Sequence, residues 1–154
     1  MGIKSFQGKR STEKKEFVAP ILVSDYMSTK LVSFRPEQSI LEVMEAFAKH
    51  RISGGPVLDS NGFLVGMVSE ADCMKQISES RYFNLPILDK RVERFMSREI
   101  DSIPHDMTIF DAARIFDTHH RRRLPVMKND ILVGQISRKD IVIAALKLSG
   151  HNWK

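Results

Sequence analysis

The sequence repeats itself, and the repeat limits which architectures the chain can adopt. Four segments of the first half align, in the same order, with four of the second half: 23–28 with 92–97, 39–50 with 108–119, 54–58 with 123–127, and 64–72 with 132–140. The last pair reads "LVGMVSEAD" against "LVGQISRKD". The first three pairs are 69 residues apart, and omitting Gly62 from a turn brings the fourth to 68. Aligned segments predict the same local structure twice, so we expect two similar units.

Each unit is predicted to contain both helices and strands. Capping-box patterns, Ser or Thr followed three positions later by an acidic residue, begin at Ser39 and Thr108 and predict a helix after each. These helices are expected to end near His50 and His119. The runs "PVL" and "FLVGMVS" flank the turn signal "DSNG", which predicts two antiparallel strands, and "KND" takes the turn position in the second copy. With a further helix after the second strand, each unit is strand, helix, strand, turn, strand, helix.

The predicted helices carry apolar residues on more than one face. Examples are "SILEVMEAF" at 39–47 and "DIVIAAL" at 140–146. A small sheet covers one stripe of a helix, so the remaining apolar surface needs another partner. We therefore expect the two units to pack against each other and the pair to form a homodimer.

Composition and the repeat divide the chain into four parts. A basic flexible tail is predicted over 1–19, a first unit over 20–78, a connector over 79–91 and a second unit over 92–149. The tail carries five Lys and Arg residues and two Glu residues, so it accounts for most of the chain's net charge of +5. A nucleic-acid-binding domain concentrates positive charge on one folded face, so nucleic-acid binding is the less favoured alternative here.

Several function classes lack the residues that they need. Cys73 is the single cysteine, and no apolar run reaches the roughly 18 residues of a membrane span or forms a signal peptide. The sequence contains no P-loop, dinucleotide-binding glycine motif or nucleophile elbow. His119 and His120 have no second metal-ligating group at a suitable spacing, so we interpret them as helix-end residues. We expect a soluble cytoplasmic protein that is not an enzyme and requires no metal or cofactor.

The order of these motifs resembles a known family. A capped helix, a "PV" strand, a turn, an "LVG" strand and an S-x-x-D segment occur twice over about residues 20–149, as in the tandem cystathionine-β-synthase-type (CBS) domain pair, or Bateman module. The resemblance implies an α/β (α+β) fold of two β-α-β-β-α units related by a pseudo-twofold axis. It also implies two clefts between the units, which in many members bind AMP, ADP, ATP or S-adenosylmethionine. NAD is a further candidate ligand.

The two S-x-x-D segments, Ser69 with Asp72 and Ser137 with Asp140, allow two compatible interpretations. As capping boxes at the starts of helices, they need no ligand to explain their spacing. A helix N-terminus also presents unpaired N–H groups and the positive end of the helix dipole, which suit an anion. By resemblance to the family, the aspartate binds both hydroxyls of a ribose and the serine lies beside it.

The segment "HHRRRLPVM" at 119–127 also allows two interpretations. Three arginines after a helix are typical of a solvated turn, where positive charge is favourable. In the family, a similar basic pair before "LPV" contacts nucleotide phosphates. The resemblance gives that role to Arg122 and Arg123, with Lys139 facing the same phosphate, and a guanidinium group suits two phosphate oxygens at once.

The two clefts are predicted to differ in charge. By resemblance, one cleft combines the following residues around ribose, base and phosphate: Ser69, Asp72, Ile100, Asp101, Arg122, Arg123 and Lys139. Its twin combines Ser137, Asp140, Leu31 and Val32, with Ser53, Gly54 and Ala71 at the positions of the three cations. Phosphate binding depends on charge-assisted hydrogen bonds. The first cleft is therefore expected to prefer phosphorylated ligands, and the second a neutral or cationic adenosine compound, or none.

Three functions are considered. The favoured one is a regulatory module whose clefts bind an adenosine-containing ligand and whose shape or dimer geometry is read by a protein on another chain. The alternative is a nucleic-acid-binding protein that uses the tail and the cluster at 121–123. The third is an enzyme acting on a nucleotide, for which the sequence offers no constellation of acid, base and nucleophile.

Overall fold

The computed structural model describes residues 20–83 and 89–150, with the backbone alone for 81–83. The α-helices of this part of the chain are α1 (Val23–Tyr26), α2 (Ile40–His50), α3 (Glu70–Phe83), α4 (Ile109–His119) and α5 (Arg138–Ser149). The strands are β1 (Gly54–Leu58), β2 (Leu64–Ser69), β3 (Ile103–Pro104), β4 (Arg123–Lys128) and β5 (Ile131–Ser137), and a 3-10 turn covers Val92–Arg94. The predicted tail lies outside the described residues, and α3 continues into the segment predicted as connector.

The helices α2 and α4 begin and end in the same way. Ser39 and Thr108 are their N-caps, and each side-chain oxygen accepts a hydrogen bond of 3.2 Å from the backbone N–H three residues later. Arg51 and His120 follow the last turns with φ of 54°, the left-handed conformation that commonly ends a helix. The predicted starts and ends of both helices are confirmed.

Each repeat contains a small sheet. β1 and β2 are antiparallel, with Gly54 opposite Ser69. β4 and β5 are antiparallel in the same way, with Arg123 opposite Ser137. β3 runs parallel to β4, and in the first repeat a single parallel bridge at Phe34 takes its place. The predicted strand–turn–strand pairs are confirmed, and the last residue of β2 and of β5 leads directly into a helix.

The first segment of each repeat joins the sheet of the other repeat. Ser28 exchanges two backbone hydrogen bonds with Gln135 of β5, at 2.8 and 2.9 Å, and Ser97 does the same with Met67 of β2. Val23, in α1, is accordingly buried in the apolar core of the second repeat. The alignment of the repeats placed these segments within their own units and did not indicate the exchange, which ties the two units together.

This exchange explains the glycine of the two "LVG" motifs. A Cβ atom on Gly66 would lie 2.5 Å from Sδ of Met96, and one on Gly134 would overlap Sδ of Met27. The backbone oxygens of Ser97 and Ser28 lie 3.0 and 2.9 Å from these two Cβ positions, so each crossing segment lies directly on a glycine of the strand that it joins.

Buried apolar side chains form one core in each repeat and a third group that includes residues of α4 and α5. In the first core, the rings of Phe34 and Phe47 meet edge to face with centroids 5.6 Å apart. Cys73 is buried in the same core, and burial is the main cause that raises the pKa of its thiol to about 11. Among the described residues, no helix is long and apolar enough to cross a membrane.

Candidate ligand-binding site

A cavity of about 450 Å³ lies between the two repeats. It is lined by residues of β1 and β2, the first turn of α3, the segment before β3 and the segment that leads into β4. Most of the residues predicted for the first cleft line it: Ser69, Asp72, Ile100, Asp101, Arg122 and Arg123. The lining residues do not include Lys139, which is exposed on the first turn of α5. The structure thus brings together residues that lie far apart in the chain, such as Asp72, Ile100 and Arg122.

Asp72 caps the start of α3. Its Oδ2 atom accepts hydrogen bonds from the backbone N–H of Ser69 at 2.8 Å and from the Ser69 hydroxyl at 3.0 Å. The backbone N–H of Asp72 in turn donates to Oγ of Ser69 at 3.3 Å. The capping interpretation is therefore confirmed. Because the carboxylate uses Oδ2 for both of these bonds, the cap leaves Oδ1 available to a ligand hydroxyl, and Asp72 lines the cavity.

Asp101 forms an ion pair at the cavity. Its Oδ2 atom accepts a hydrogen bond of 2.8 Å from Nε of Arg121 and lies 3.5 Å from Nδ1 of His119. The hydrogen bond from Arg121 is the main cause that lowers the pKa of the Asp101 carboxyl group. His119, the last residue of α4, thus contacts the Asp101 carboxylate. The structure shows no group of three or more metal-ligating side chains within 20–83 and 89–150.

Arg123, the first residue of β4, reaches into the first repeat. Its Nη1 atom donates a hydrogen bond of 2.9 Å to the backbone carbonyl oxygen of Gly54, and Nη2 donates to Oγ of Ser53. Desolvation is the main cause that lowers the pKa of this guanidinium group, with the neighbouring charge of Arg122 as a second cause. A cation that has lost part of its hydration gains more from an anionic partner than an exposed one does.

A second cavity, of about 530 Å³, lies beside the first. Of the residues predicted for the second cleft, Ser137 lines it, while Asp140, Leu31 and Val32 are not among its lining residues. Asp140 caps α5, because its Oδ2 atom accepts a 2.8 Å hydrogen bond from the backbone N–H of Ser137. Val32 packs against the first apolar core.

Two arginines among the residues that line the second cavity were not predicted for it. Arg123 lines both cavities, and Arg51 lines the second. Arg51 aligns with His120, and both follow the last turn of a helix in the left-handed conformation. The alignment with His120 is the sequence feature that could have identified Arg51. No such feature identifies Arg123, because a sequence alignment does not show how far its side chain extends into the first repeat.

Comparison with known protein families matches both repeats to one family. The model described as "CBS domain" matches residues 23–79 and again residues 92–147. The chain belongs to the CBS domain family. Its two repeats are two CBS units packed as a tandem pair, or Bateman module, and both cavities are lined by residues of both CBS units.

Similar proteins agree with this assignment. MJ1426 of Methanocaldococcus jannaschii is 29% identical over 155 residues, which covers 82% of this chain and 92% of that protein. A crystal structure of CBSX2 from Arabidopsis thaliana in complex with AMP is 28% identical with a TM-score of 0.74, and covers 84% of this chain and 99% of that chain. The CBS domain pair of MJ0100, in complex with 5′-methylthioadenosine and S-adenosyl-L-methionine, is 25% identical with a TM-score of 0.71, covering 83% and 98%. The predicted mixed α and β fold is confirmed.

Proposed function

We propose that this CBS pair is a regulatory module without catalytic activity, which binds an adenosine-containing ligand such as AMP, ADP or ATP in the cavity of about 450 Å³. The observation that carries the proposal is the composition of that cavity. Asp72 of one CBS unit and Arg122 and Arg123 of the other line the same space. A nucleotide needs an acceptor for its ribose hydroxyls and cations for its phosphate, and both are present here.

The size and the apolar surface of the cavity also suit a nucleotide. Pockets for small ligands typically have volumes of about 300–1,000 Å³ and combine apolar walls with a few polar groups. Met67, Ile100 and Pro125 supply apolar surface for the base. Asp72 supplies the oxygen atom Oδ1 for the ribose, because its cap uses Oδ2.

The solved structures of similar proteins support an adenosine compound. AMP is bound to CBSX2, and 5′-methylthioadenosine and S-adenosyl-L-methionine are bound to the CBS pair of MJ0100. In this chain, Arg122 and Arg123 favour ligands with a phosphate over S-adenosylmethionine, whose sulfonium group is positively charged. NAD also carries phosphates and belongs in the same ligand screen.

The module acts as a homodimer whose geometry a protein on another chain reads. Large apolar side chains are exposed on α3 and α5, namely Met74 at 63%, Val142 at 59% and Leu146 at 68%. Met74 and Val142 occupy equivalent positions, so each CBS unit exposes an apolar side chain at this point of its last helix. In a symmetric homodimer, a second copy of the chain covers this surface with the same surface of its own. Both copies then bury their exposed apolar side chains.

Thermal unfolding with and without ligand tests the proposal. Adenosine, AMP, ADP, ATP, NAD and S-adenosylmethionine are added separately, and a ligand at 100 times its Kd stabilises the folded chain by about 2.7 kcal/mol. We expect the phosphorylated ligands to raise the midpoint and Asp72→Ala to lose most of this rise. Asp117→Ala, which removes an exposed carboxylate of α4, is the matched control and keeps the full response. No stabilisation by any of the six compounds would contradict the proposal, and so would steady turnover of ATP.

A further inference from the structure

The two cavities meet at one side chain. Arg123 lines the first cavity of about 450 Å³ and the second of about 530 Å³, as do Ser53 and Glu70. Its guanidinium group donates to the carbonyl oxygen of Gly54 at 2.9 Å and to Oγ of Ser53. Gly54 holds the position in the first CBS unit that Arg123 holds in the second. The pair therefore has one guanidinium group where a symmetrical chain would have two.

The packing at Gly54 is too tight for a larger side chain unless its neighbours shift. A Cβ atom at this position would lie 3.0 Å from the carbonyl oxygen of Val68 and 3.4 Å from Nη1 of Arg123. The guanidinium group is planar, and its N–H donors point in fixed directions as a fork. An anion in either cavity either shares these N–H donors with Gly54 and Ser53 or draws the guanidinium group away from those two residues. A guanidinium group that turns toward one cavity turns away from the other.

We propose that Arg123 is a single cation shared by the two cavities, so that a phosphate-bearing ligand in one cavity weakens the binding of a second such ligand in the other. This inference rests on the proposed function, because the first ligand is an adenosine nucleotide. The cause is competition for the guanidinium fork, whose donors face one phosphate at a time. Adenosine carries no phosphate and does not compete for it.

The shared cation also changes the expectation for the second cavity. The alignment placed Ser53, Gly54 and Ala71 at the positions of the three cations, which predicted a neutral ligand. The structure places Arg51 and Arg123 among the lining residues of that cavity, together with Glu70. The second cavity therefore accepts a phosphate, but only with Arg123 turned toward it.

A variant with the first cavity blocked distinguishes coupling between the two cavities from two independent cavities of unequal affinity. Ala71 lines the first cavity and not the second, and it is exposed on the first turn of α3, so Ala71→Trp obstructs that cavity without entering the core. Ile100→Trp is a second blocking variant, at a lining residue outside α3. AMP and adenosine are titrated by calorimetry into the wild type and both variants, each as the full chain. The wild type is expected to show a strong and a weak AMP step.

With a shared cation, the AMP step that remains in the blocked variants is at least about tenfold tighter than the weak step of the wild type, which corresponds to about 1.4 kcal/mol. The weak adenosine step keeps its affinity. Adding Arg123→Gln, which keeps a donor but removes the charge, abolishes the gain. Adding Arg51→Gln, the matched removal of a cation that lines the second cavity and not the first, weakens the step but retains the gain.

Four other outcomes would contradict the shared cation, the proposed function or both. Two AMP steps in the wild type with no gain on blocking would overturn the shared cation and leave the proposed function standing. A blocked variant that binds no AMP would overturn it too, because the second cavity then accepts no phosphate. A gain that survives Arg123→Gln would assign the coupling to another group. A wild type that binds neither AMP nor adenosine would overturn the proposed function and this inference with it.

Discussion

Arg123 donates a hydrogen bond of 2.9 Å to the backbone carbonyl oxygen of Gly54, the residue that occupies its own position in the other CBS unit. The second unit supplies a guanidinium group, and the first supplies the space and the acceptor for it. Glycine and arginine at one position of the repeat are therefore complementary rather than equivalent. Both residues line the first cavity.

Replacing Gly54 by alanine is expected to lower the free energy of unfolding by about 1–3 kcal/mol, because a new methyl group in a packed site forces its neighbours to shift. The nearest neighbour, 3.0 Å from the added Cβ, is the backbone oxygen of Val68, which cannot rotate away. Urea unfolding measures the change. Gly150→Ala is the control, because its Cβ would lie 3.7 Å from the nearest atom, the carbonyl oxygen of Lys147. Equal stability of the two variants would show that position 54 is not tightly packed.

Replacing Asp72 by alanine is expected to have two separable effects. Loss of the cap on α3 lowers the free energy of unfolding by about 0.5–2 kcal/mol. Loss of the ribose acceptor weakens AMP binding by at least about tenfold, since hydrogen bonds to charged groups contribute about 1.5–3 kcal/mol. Urea unfolding and calorimetric titration measure the two effects.

Thr108→Ala is the matched control for Asp72→Ala. Thr108 caps α4 through one hydrogen bond of 3.2 Å to its side chain and lines neither cavity. It is expected to lose a similar amount of stability and to keep its affinity for AMP. If Asp72→Ala bound AMP as tightly as Thr108→Ala does, Asp72 would be a helix cap only.

The sequence predicted those parts of the fold that depend on local patterns. The caps at Ser39 and Thr108 and the strand pairs follow from short-range chemistry that the alignment of the two repeats makes visible twice. The exchange of Ser28 and Ser97 between the two sheets was not predicted. A repeat alignment gives the same score whether a segment pairs within its own unit or with the other one.

The candidate site was predictable only in part for a related reason. Ser69 and Asp72 are recognisable as a motif, and the structure places them on the cavity wall. Lys139 aligns with Ala71, which lines the first cavity, yet Lys139 lines neither. Arg123 lines both cavities because a long side chain extends over Gly54. A sequence alignment indicates where the backbone of a residue lies. The location of the end of an arginine side chain depends on the space that its neighbours leave.

The ion pair between Asp101 and Arg121 is expected to make stability depend on acidity below about pH 4. The hydrogen bond from Arg121 lowers the pKa of Asp101 from its usual value of 3.8, so folding favours the ionised carboxylate. The stabilisation is complete above the pKa of the unfolded chain and is lost as the pH falls through the lower pKa of the folded chain. The side chain is 35% exposed, so at most about 1 kcal/mol is involved.

Urea unfolding of the wild type and Asp101→Asn from pH 7 to pH 3 measures this dependence. The difference in free energy of unfolding is expected to shrink as the pH falls below about 4. Arg121→Gln is expected to reproduce the loss, and combining the two substitutions adds little because they remove one interaction. A wild-type advantage that grew as the pH fell below about 4 would contradict the assignment.

The exposed apolar face of α5 is expected to hold the homodimer, and Leu146→Glu is expected to convert it to monomers. A stable interface buries on the order of 1,200 Å² or more, and Leu146 and Val142 are 68% and 59% exposed in the single chain. A carboxylate buried there without a partner costs several kcal/mol on association. Light scattering at micromolar concentration measures the molecular mass. Phe63→Glu is the control, because Phe63 is 50% exposed in the β1–β2 connection rather than on a helix, and this variant is expected to remain dimeric. A wild type with the mass of one chain, or a Leu146→Glu variant with the mass of two, would contradict the prediction.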